Sequence, residues 1–408
     1  MSLEPMLKGE AKPCLTCTAK TCAQAVPYAA EVTRLFAEDK IAEAYAIIRK
    51  YNVLPEMSAR VCPSFGQAEQ ACVEKQEGRD TVPVREIVHA VAQLARQDRL
   101  TGVKTGVTAT RKKVAVIGGG PAGIAAAVRL LEFGHHVVLF EREASLGGAP
   151  AQLYRTQRFG DGKDEIDALL QRALNAHTLE IRYHRQLGKQ VKLHELRQVY
   201  GAVVLATGLW KEYPFAPDAE QVVDAITFLR EVKSGTRTTV PEKVAIIAGG
   251  DAAMDAAAAA QALGAQELNI VFPDRFENMH WHMPADWFET SGAQMLDHTQ
   301  PLGFDGGLVC CKTEYVNDEL YQVADSEALL PVDLVISASG LTVADRVSAE
   351  LDSLTFSGHG LVAEQGYATS EPGFFVAGAL MNGGMAVSRC VQDGMGAAEA
   401  VNEYLAKV

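Results

Sequence analysis

The chain has 408 residues, 48% of them hydrophobic and 22% charged, which suits about two to three globular domains with a large core. Its net charge of −13 argues against nucleic acid or an anionic membrane surface as the main partner. No uninterrupted apolar run approaches the roughly 20 residues a membrane span needs. Met1–Lys12 has no apolar signal core, so the expected location is cytoplasmic.

Residues 1–105 read as a helical domain with two cysteine-bearing loops. From Tyr28 to Tyr51 apolar residues recur at helical spacing (Val32, Leu35, Phe36, Ile41, Tyr45, Ile48). Asn52–Pro55 break that run, and a second helix is predicted from Val84 to Arg99. Five of the eight cysteines precede residue 73: Cys14, Cys17, Cys22, Cys62 and Cys72. In a reducing compartment such clustering points to metal or redox chemistry rather than disulfides. Cys14, Cys17 and Cys22 form a close triplet, and Cys62 or Cys72 is available as a fourth ligand; the set suits a zinc ion or a 4Fe–4S cluster. Thr101–Thr110 reads as a connector between domains.

The pattern then changes to strand, glycines, helix, strand. Val114–Ile117 is a short buried strand. Gly118, Gly120 and Gly123 follow as G-x-G-x-x-G, and an Ala/Leu-rich helix stops at Gly134. Val137–Phe140 is the next strand, ending at Glu141. In this arrangement the first glycine makes the turn, the second lets backbone approach a pyrophosphate, and the third lets helix pack on strand. The anion meets free N–H groups at the helix N-terminus, and Glu141 is placed to bond ribose hydroxyls.

The arrangement recurs about 130 residues later. A strand at Val244–Ile247 is followed by Ala248, Gly249, Gly250, Asp251, Ala252 and Ala253. An Ala-rich helix then ends near Gly264, and a strand follows at Leu268–Phe272. Ala248 replaces the first glycine, which is tolerable if its φ stays negative. Asp274 stands where a ribose-binding acid is expected and would repel a 2′-phosphate, favouring NADH; adjacent Arg275 argues the reverse. A flavin and a nicotinamide on one chain would favour iron–sulfur over zinc, because a two-electron flavin needs one-electron carriers to feed a distant acceptor. Farther on, His280, Trp281 and His282 are expected to line a domain interface. Cys310 and Cys311, in a predicted strand Leu308–Lys312, are expected to be packed, and Cys390 reads as core of a C-terminal helix. No nucleophile–base set is present, so hydrolysis is not supported and no side chain is assigned as catalytic.

With Asn52–Glu56 (NVLPE), Arg60–Pro63 (RVCP), Gly147-Gly148, Val203–Gly208 (VVLATG), Gly249–Asp255 (GGDAAMD), Glu277–Met279 and Phe375–Gly378 (FVAG), the chain resembles the small (β) subunit of bacterial glutamate synthase. It equally resembles the electron-input subunit of bacterial dihydropyrimidine dehydrogenase and the N-terminal part of the eukaryotic enzyme. The resemblance implies an α/β fold: two Rossmann-type domains, for FAD and NAD(P), preceded by an α-helical ferredoxin-like iron–sulfur domain. It implies helical 1–105, FAD domain 106–225, NAD(P) domain 226–339 and a return to the FAD domain over 340–408. FAD would take electrons from NAD(P)H and pass them through 4Fe–4S chemistry to a partner subunit carrying the acceptor site.

The FAD residues so implied are Gly118, Gly120, Gly123, Glu141, Gly148, Arg158, Gly208, Gly378 and Ala379; those for the nicotinamide nucleotide are Gly249, Gly250, Asp251, Ala252 and Asp274. Family members hold two clusters. The positions for one are Cys14, Cys17, Cys22 and Cys72, while those for the other are Val26, Cys62, Ala68 and Val88, so one 4Fe–4S cluster is expected. Ala379 replaces a family aspartate, a Gly-Ile-Pro segment is missing after Gly148, and Pro273 and Asp274 replace the arginine pair that reads the NADPH phosphate. These departures, with Ala248, leave open a second reading: a non-catalytic relative serving as a structural or regulatory nucleotide-binding subunit.

Overall fold

The computed structural model describes residues 3–104, 106–153, 162–248, 250–279, 287–357, 360–364 and 366–408. They form two compact units: one of Met1–Ala151, Gln157–Leu209 and Val343–Val408, the other built mainly on Trp210–Thr342. Among the described residues no helix is long and apolar enough to cross a membrane.

In the first unit the helical segment comprises Ala29–Ala37, Ile41–Tyr51, Pro55–Val61, Ser64–Gln70 and Val84–Gln97. The continuous apolar spacing over Tyr28–Tyr51 is therefore carried by two helices. Between them Asp39 takes a left-handed φ of 64°, and the polar stretch Glu38–Lys40 turns the chain. Each helix buries one stripe: Val32, Leu35 and Phe36 on the first, Tyr45 and Ile48 on the second, Ile87, Val88 and Val91 on Val84–Gln97. That last helix stops two residues before the predicted Arg99. Arg99 has φ 58°, and the Leu100 amide donates to the Ala95 carbonyl at 2.8 Å, closing the helix end.

The same unit holds a parallel sheet in the order Phe374–Val376, Ala202–Leu205, Lys113–Ile117, His136–Phe140, Leu179–Arg182. After their first residues, Lys113 and His136, the strands Lys113–Ile117 and His136–Phe140 are apolar and buried, as is all of Ala202–Leu205. The chain starts at the central strand, builds to one side, then crosses to the other, so a switch point lies beside Ile117. The helices Pro121–Glu132 and Val387–Leu405 cross closely: a Cβ on Gly394 would fall 2.0 Å from the Ala122 carbonyl oxygen. The second unit repeats the design, with Val222–Asp224, Leu334–Ser337, Lys243–Ile247, Glu267–Val271 and Gln294–Leu296 all parallel. It adds antiparallel strands, of which Thr299–Phe304 and Leu308–Val316 are the longest.

Within the first unit, buried charges bind the helical segment to the sheet-bearing part. Glu165, only 1% exposed, accepts the Glu56 and Met57 amides at 2.7 and 2.9 Å, capping Pro55–Val61. Glu56 in turn accepts Nε and Nη2 of Arg96 at 2.9 and 3.1 Å. Burial, then the neighbouring Glu56 carboxylate, pushes the Glu165 carboxyl well above its ordinary range. The folded chain thus binds this proton more tightly than the unfolded chain does. The contribution is full below the ordinary carboxylate pKa and is lost as pH rises toward the folded-state value. Glu165→Ala should cost about 2–4 kcal/mol in unfolding free energy, for two orphaned buried amides. Glu165→Gln should flatten the fall in melting temperature from acid to alkaline buffer; an unaltered slope would refute the assignment.

Candidate functional site

At the end of Lys113–Ile117 the Gly118 amide donates to the Phe140 carbonyl at 2.8 Å, and the chain turns with φ 109°. Packing dictates two of the three glycines. A Cβ on Gly118 would lie 2.3 Å from the Ala206 carbonyl oxygen, and one on Gly123 would lie 1.8 Å from that of Gly118. Gly120 is different, because its Cβ would meet nothing nearer than the Gly148 Cα at 3.6 Å. The Gly120 position faces open space at the N-terminus of Pro121–Glu132, a cradle that a side chain would fill and a pyrophosphate fits. Gly147 donates to the Gly119 carbonyl at 2.8 Å, drawing Gly148 against the turn.

Glu141, 6% exposed, accepts the Gly119 amide at 2.7 Å and the Glu143 amide at 2.8 Å, one on each oxygen. Burial pushes its carboxyl up while those two amides pull it down. It shapes the turn from behind and has lone pairs left for a ribose. Gly208 and Gly378 each have φ 69°, and the Gly378 backbone abuts Ala122 at the head of the helix. Ala379, a departure from the family aspartate legible in the sequence, opens the short helix Ala379–Asn382. Arg158, Gly249 and the trio His280, Trp281 and His282 lie outside the described residues.

In the second unit the Ala248 amide donates to Val271 as Gly118 does to Phe140, at 3.0 Å. The same register imposes the same turn, and Ala248 has φ 85°. The condition under which alanine would be tolerated here, a negative φ, is not met; the strand pairing holds it in a conformation that costs an L-residue about 1–2 kcal/mol. Gly250 is extended, caps Asp251–Ala262 and has nothing within 4 Å of its Cβ direction. Ala253 is fully buried at the third position, and Asp251 and Ala252 form the first helical turn.

The residue in register with Glu141 is Phe272, whose amide donates to Leu296 as that of Glu141 does to Arg182. Asp274 lies two residues on, in a bonded cluster. Its Oδ1 accepts the Tyr315 hydroxyl at 2.6 Å, the Arg275 amide at 2.6 Å and Asn278 Nδ2 at 3.0 Å, while Oδ2 accepts Asn278 Nδ2 at 3.1 Å. Desolvation pushes this carboxyl up, but the three donors outweigh it and hold it below its ordinary value. The Arg275 guanidinium lies over the Tyr315 ring, 4.1 Å from its centroid. Tyr315 carries no sequence signal; pairing of distant strands delivers it.

Cys14 and Cys22 sit in the single turns Lys12–Leu15 and Thr21–Gln24, and Cys72 precedes Val73–Gln76. Thr21 donates to the Ala71 carbonyl, fastening the two loops together. Burial, then the thiols of Cys22, Cys72 and Cys17, pushes the Cys14 thiol up to about 12. Burial and the nearby thiols of Cys72 and Cys17 push the Cys22 thiol up as well, and a set of close thiols is one whose deprotonated form requires bound cations. Among the described residues no three His, Cys, Asp or Glu side chains converge on one point as a single ion would need. Cys62 is apart from this set: fully buried, it accepts the Ser388 amide at 3.1 Å. Val26, Ala68 and Val88 are at most 3% exposed, so these positions hold packed apolar side chains. Cys310, Cys311 and Cys390 are buried, the first two in Leu308–Val316 and the last in Val387–Leu405.

Residues 112–394 match the family model described as pyridine nucleotide-disulphide oxidoreductase. Residues 2–100 match the one described as dihydropyrimidine dehydrogenase domain II, 4Fe-4S cluster. The chain is 28% identical over 409 residues to the NAD-dependent dihydropyrimidine dehydrogenase subunit PreT of Escherichia coli K12, covering 97% of this chain and 93% of that protein. It is also 28% identical to the glutamate synthase (NADPH) small chain of the same organism, covering 98% and 93%. In fold it is similar to the Mycobacterium tuberculosis oxidoreductase FprA, with TM-score 0.62 and 15% identity over 73% of this chain and 85% of that one. A Lactococcus lactis thioredoxin reductase gives TM-score 0.54 at 16% identity over 73% and 100%.

Replacing Ala248 with glycine should relieve the turn and raise stability by about 1 kcal/mol, read as an upward shift in the thermal midpoint; a downward shift would show that the turn is unstrained. Anaerobically prepared protein should contain about four iron and four sulfide per chain. Cys72→Ser should disrupt the cluster and Cys62→Ser should leave it in place; about eight irons per chain would defeat the ligand assignment.

Proposed function

Because the chain belongs to the pyridine nucleotide-disulphide oxidoreductase family and carries a 4Fe–4S domain ahead of that match, we propose that it is the electron-input subunit of a larger complex and prefers NADH. The chain is an NAD(P)H-oxidising oxidoreductase of FAD and 4Fe–4S. One observation supports the input role above others: the four-thiol set and the Gly118–Gly123 cradle share one compact unit, while the second nucleotide turn is carried by the other. FAD, when bound, supplies the junction between a two-electron hydride donor and a one-electron carrier.

The protein's own part is to bind and orient. Gly118 and Gly123 bring the helix Pro121–Glu132 against its strand, Gly120 leaves the phosphate path open, and Glu141 holds the turn and receives the ribose. Gly148, Arg158, Gly208 and Gly378 complete the flavin site in this reading, with Ala379 in place of the acid. Gly249, Gly250, Asp251 and Ala252 form the nicotinamide-nucleotide turn, and Asp274 reads the ribose. Cys14, Cys17, Cys22 and Cys72 hold the cluster. The functional division follows as 1–105 for the cluster, 106–225 and 340–408 for FAD, and 226–339 for NAD(P)H.

The electron acceptor would be carried by a partner subunit, as the names of the two relatives suggest for those proteins. Eight unpaired cysteines suit a reducing, cytoplasmic setting. Mixing the flavin-replete chain with NADH under anaerobic conditions should bleach the flavin absorbance, and NADPH should do so with lower efficiency. A clear NADPH preference would overturn the nucleotide assignment, and no bleaching by either would favour the non-catalytic reading.

A further inference from the structure

The second unit carries an arrangement that the nucleotide reading does not by itself require. Asp274 and Arg275 are adjacent, opposite in charge, and both engaged by Tyr315: its hydroxyl donates to Asp274 Oδ1 at 2.6 Å, and its ring underlies the Arg275 guanidinium at 4.1 Å. The loop bearing them is fastened from the strands beneath. Thr313 donates its hydroxyl to the Pro273 carbonyl at 2.6 Å, and the His298 amide donates to the Asp274 carbonyl at 3.1 Å. The His298 ring meets Tyr315 edge-on, with centroids 6.5 Å apart. Among the described residues Oδ1 takes three donors and Oδ2 one, at 3.1 Å, so the carboxylate is oriented with lone-pair capacity on Oδ2 to accept from a ligand.

We propose that Tyr315 is the positioning residue that sets nucleotide selectivity in this unit, aiming Asp274 at an unphosphorylated ribose while holding Arg275 stacked away from a 2′-phosphate. The inference rests on the reading of the second unit as the nicotinamide-nucleotide site. A ribose hydroxyl is a donor and finds an acceptor in Asp274 Oδ2. A 2′-phosphate is an anion, repelled by the same carboxylate, and its natural partner is a free guanidinium. Stacking on Tyr315 engages that guanidinium through cation–π attraction. The two effects of one side chain are separable: phenylalanine keeps the stack and loses the hydroxyl, and alanine loses both.

Calorimetric titration of the full FAD-replete chain with 5′-AMP and with 2′,5′-ADP, which differ only at the 2′ position, tests this without reference to turnover. The unsubstituted chain should prefer 5′-AMP. Tyr315→Phe should weaken 5′-AMP by up to roughly tenfold, the scale of one hydrogen bond to a charged group, and leave 2′,5′-ADP unchanged. Tyr315→Ala should in addition tighten 2′,5′-ADP by roughly tenfold through a released guanidinium, and adding Arg275→Ala should abolish that gain. If the affinity ratio is the same in the unsubstituted chain, Tyr315→Phe and Tyr315→Ala, the role assigned to Tyr315 is wrong while the nucleotide site stands. If the unsubstituted chain binds neither nucleotide, the reading beneath it fails, and the inference with it.

Discussion

The close approach of a helix to the strand before it is the constraint on which the rest of this molecule depends. Gly123 allows it, since any side chain there would overlap the Gly118 carbonyl oxygen. Once Pro121–Glu132 lies that close, its N-terminal amides open onto the switch point of the sheet, and Gly378 and Gly394 can pack on Ala122. The C-terminal helix and the last strand are thereby committed to the same place, although they come from the far end of the chain. In the second unit the same turn is reproduced by strand register rather than by glycine. Ala248 accepts a strained φ because its amide is already committed to Val271.

Buried carboxylates recur as helix caps. Glu165 serves Pro55–Val61. In the second unit Glu212 accepts the Ile226 amide at 3.1 Å at the start of Ala225–Ser234. Burial, with Asp224 adding to it, pushes the Glu212 carboxyl up to about 8. A helix N-terminus offers several orphan amides and a positive dipole end, which offset part, though not all, of the cost of burying a carboxyl group there. Glu141 follows the same logic on the turn itself, where one side chain shapes the backbone that forms the phosphate cradle.

The cysteines divide by surroundings rather than by spacing. Cys14, Cys17, Cys22 and Cys72 remain partly exposed. Cys62 is fully buried and spends its sulfur on the amide of Ser388, near the start of the C-terminal helix. With Val26, Ala68 and Val88 buried as well, the region has the close packing of a core.

Much of this was legible in the sequence because it is local. Strand, glycine turn and helix follow one another within about 30 residues in a dinucleotide-binding unit, and helical spacing marked the buried stripes of residues 28–99. Local rules fell short where a turn interrupts good spacing, as at Asp39, and where strand pairing overrides a backbone preference, as at Ala248. Other contacts join residues far apart in the chain: Asp274 to Tyr315 across 41 positions, Glu56 to Glu165 across 109, Cys62 to Ser388 across 326. Sequence alone determined the main element types, the repeated strand–turn–helix design and the close triplet Cys14, Cys17 and Cys22, since each follows from the backbone and side-chain chemistry of neighbouring residues. Only the tertiary structure decided that Tyr315 holds Asp274 and Arg275, that Glu165 caps a helix of the cysteine-bearing segment, and that Cys62 serves a backbone amide, because sheet register and helix packing bring those partners together and no local pattern encodes them.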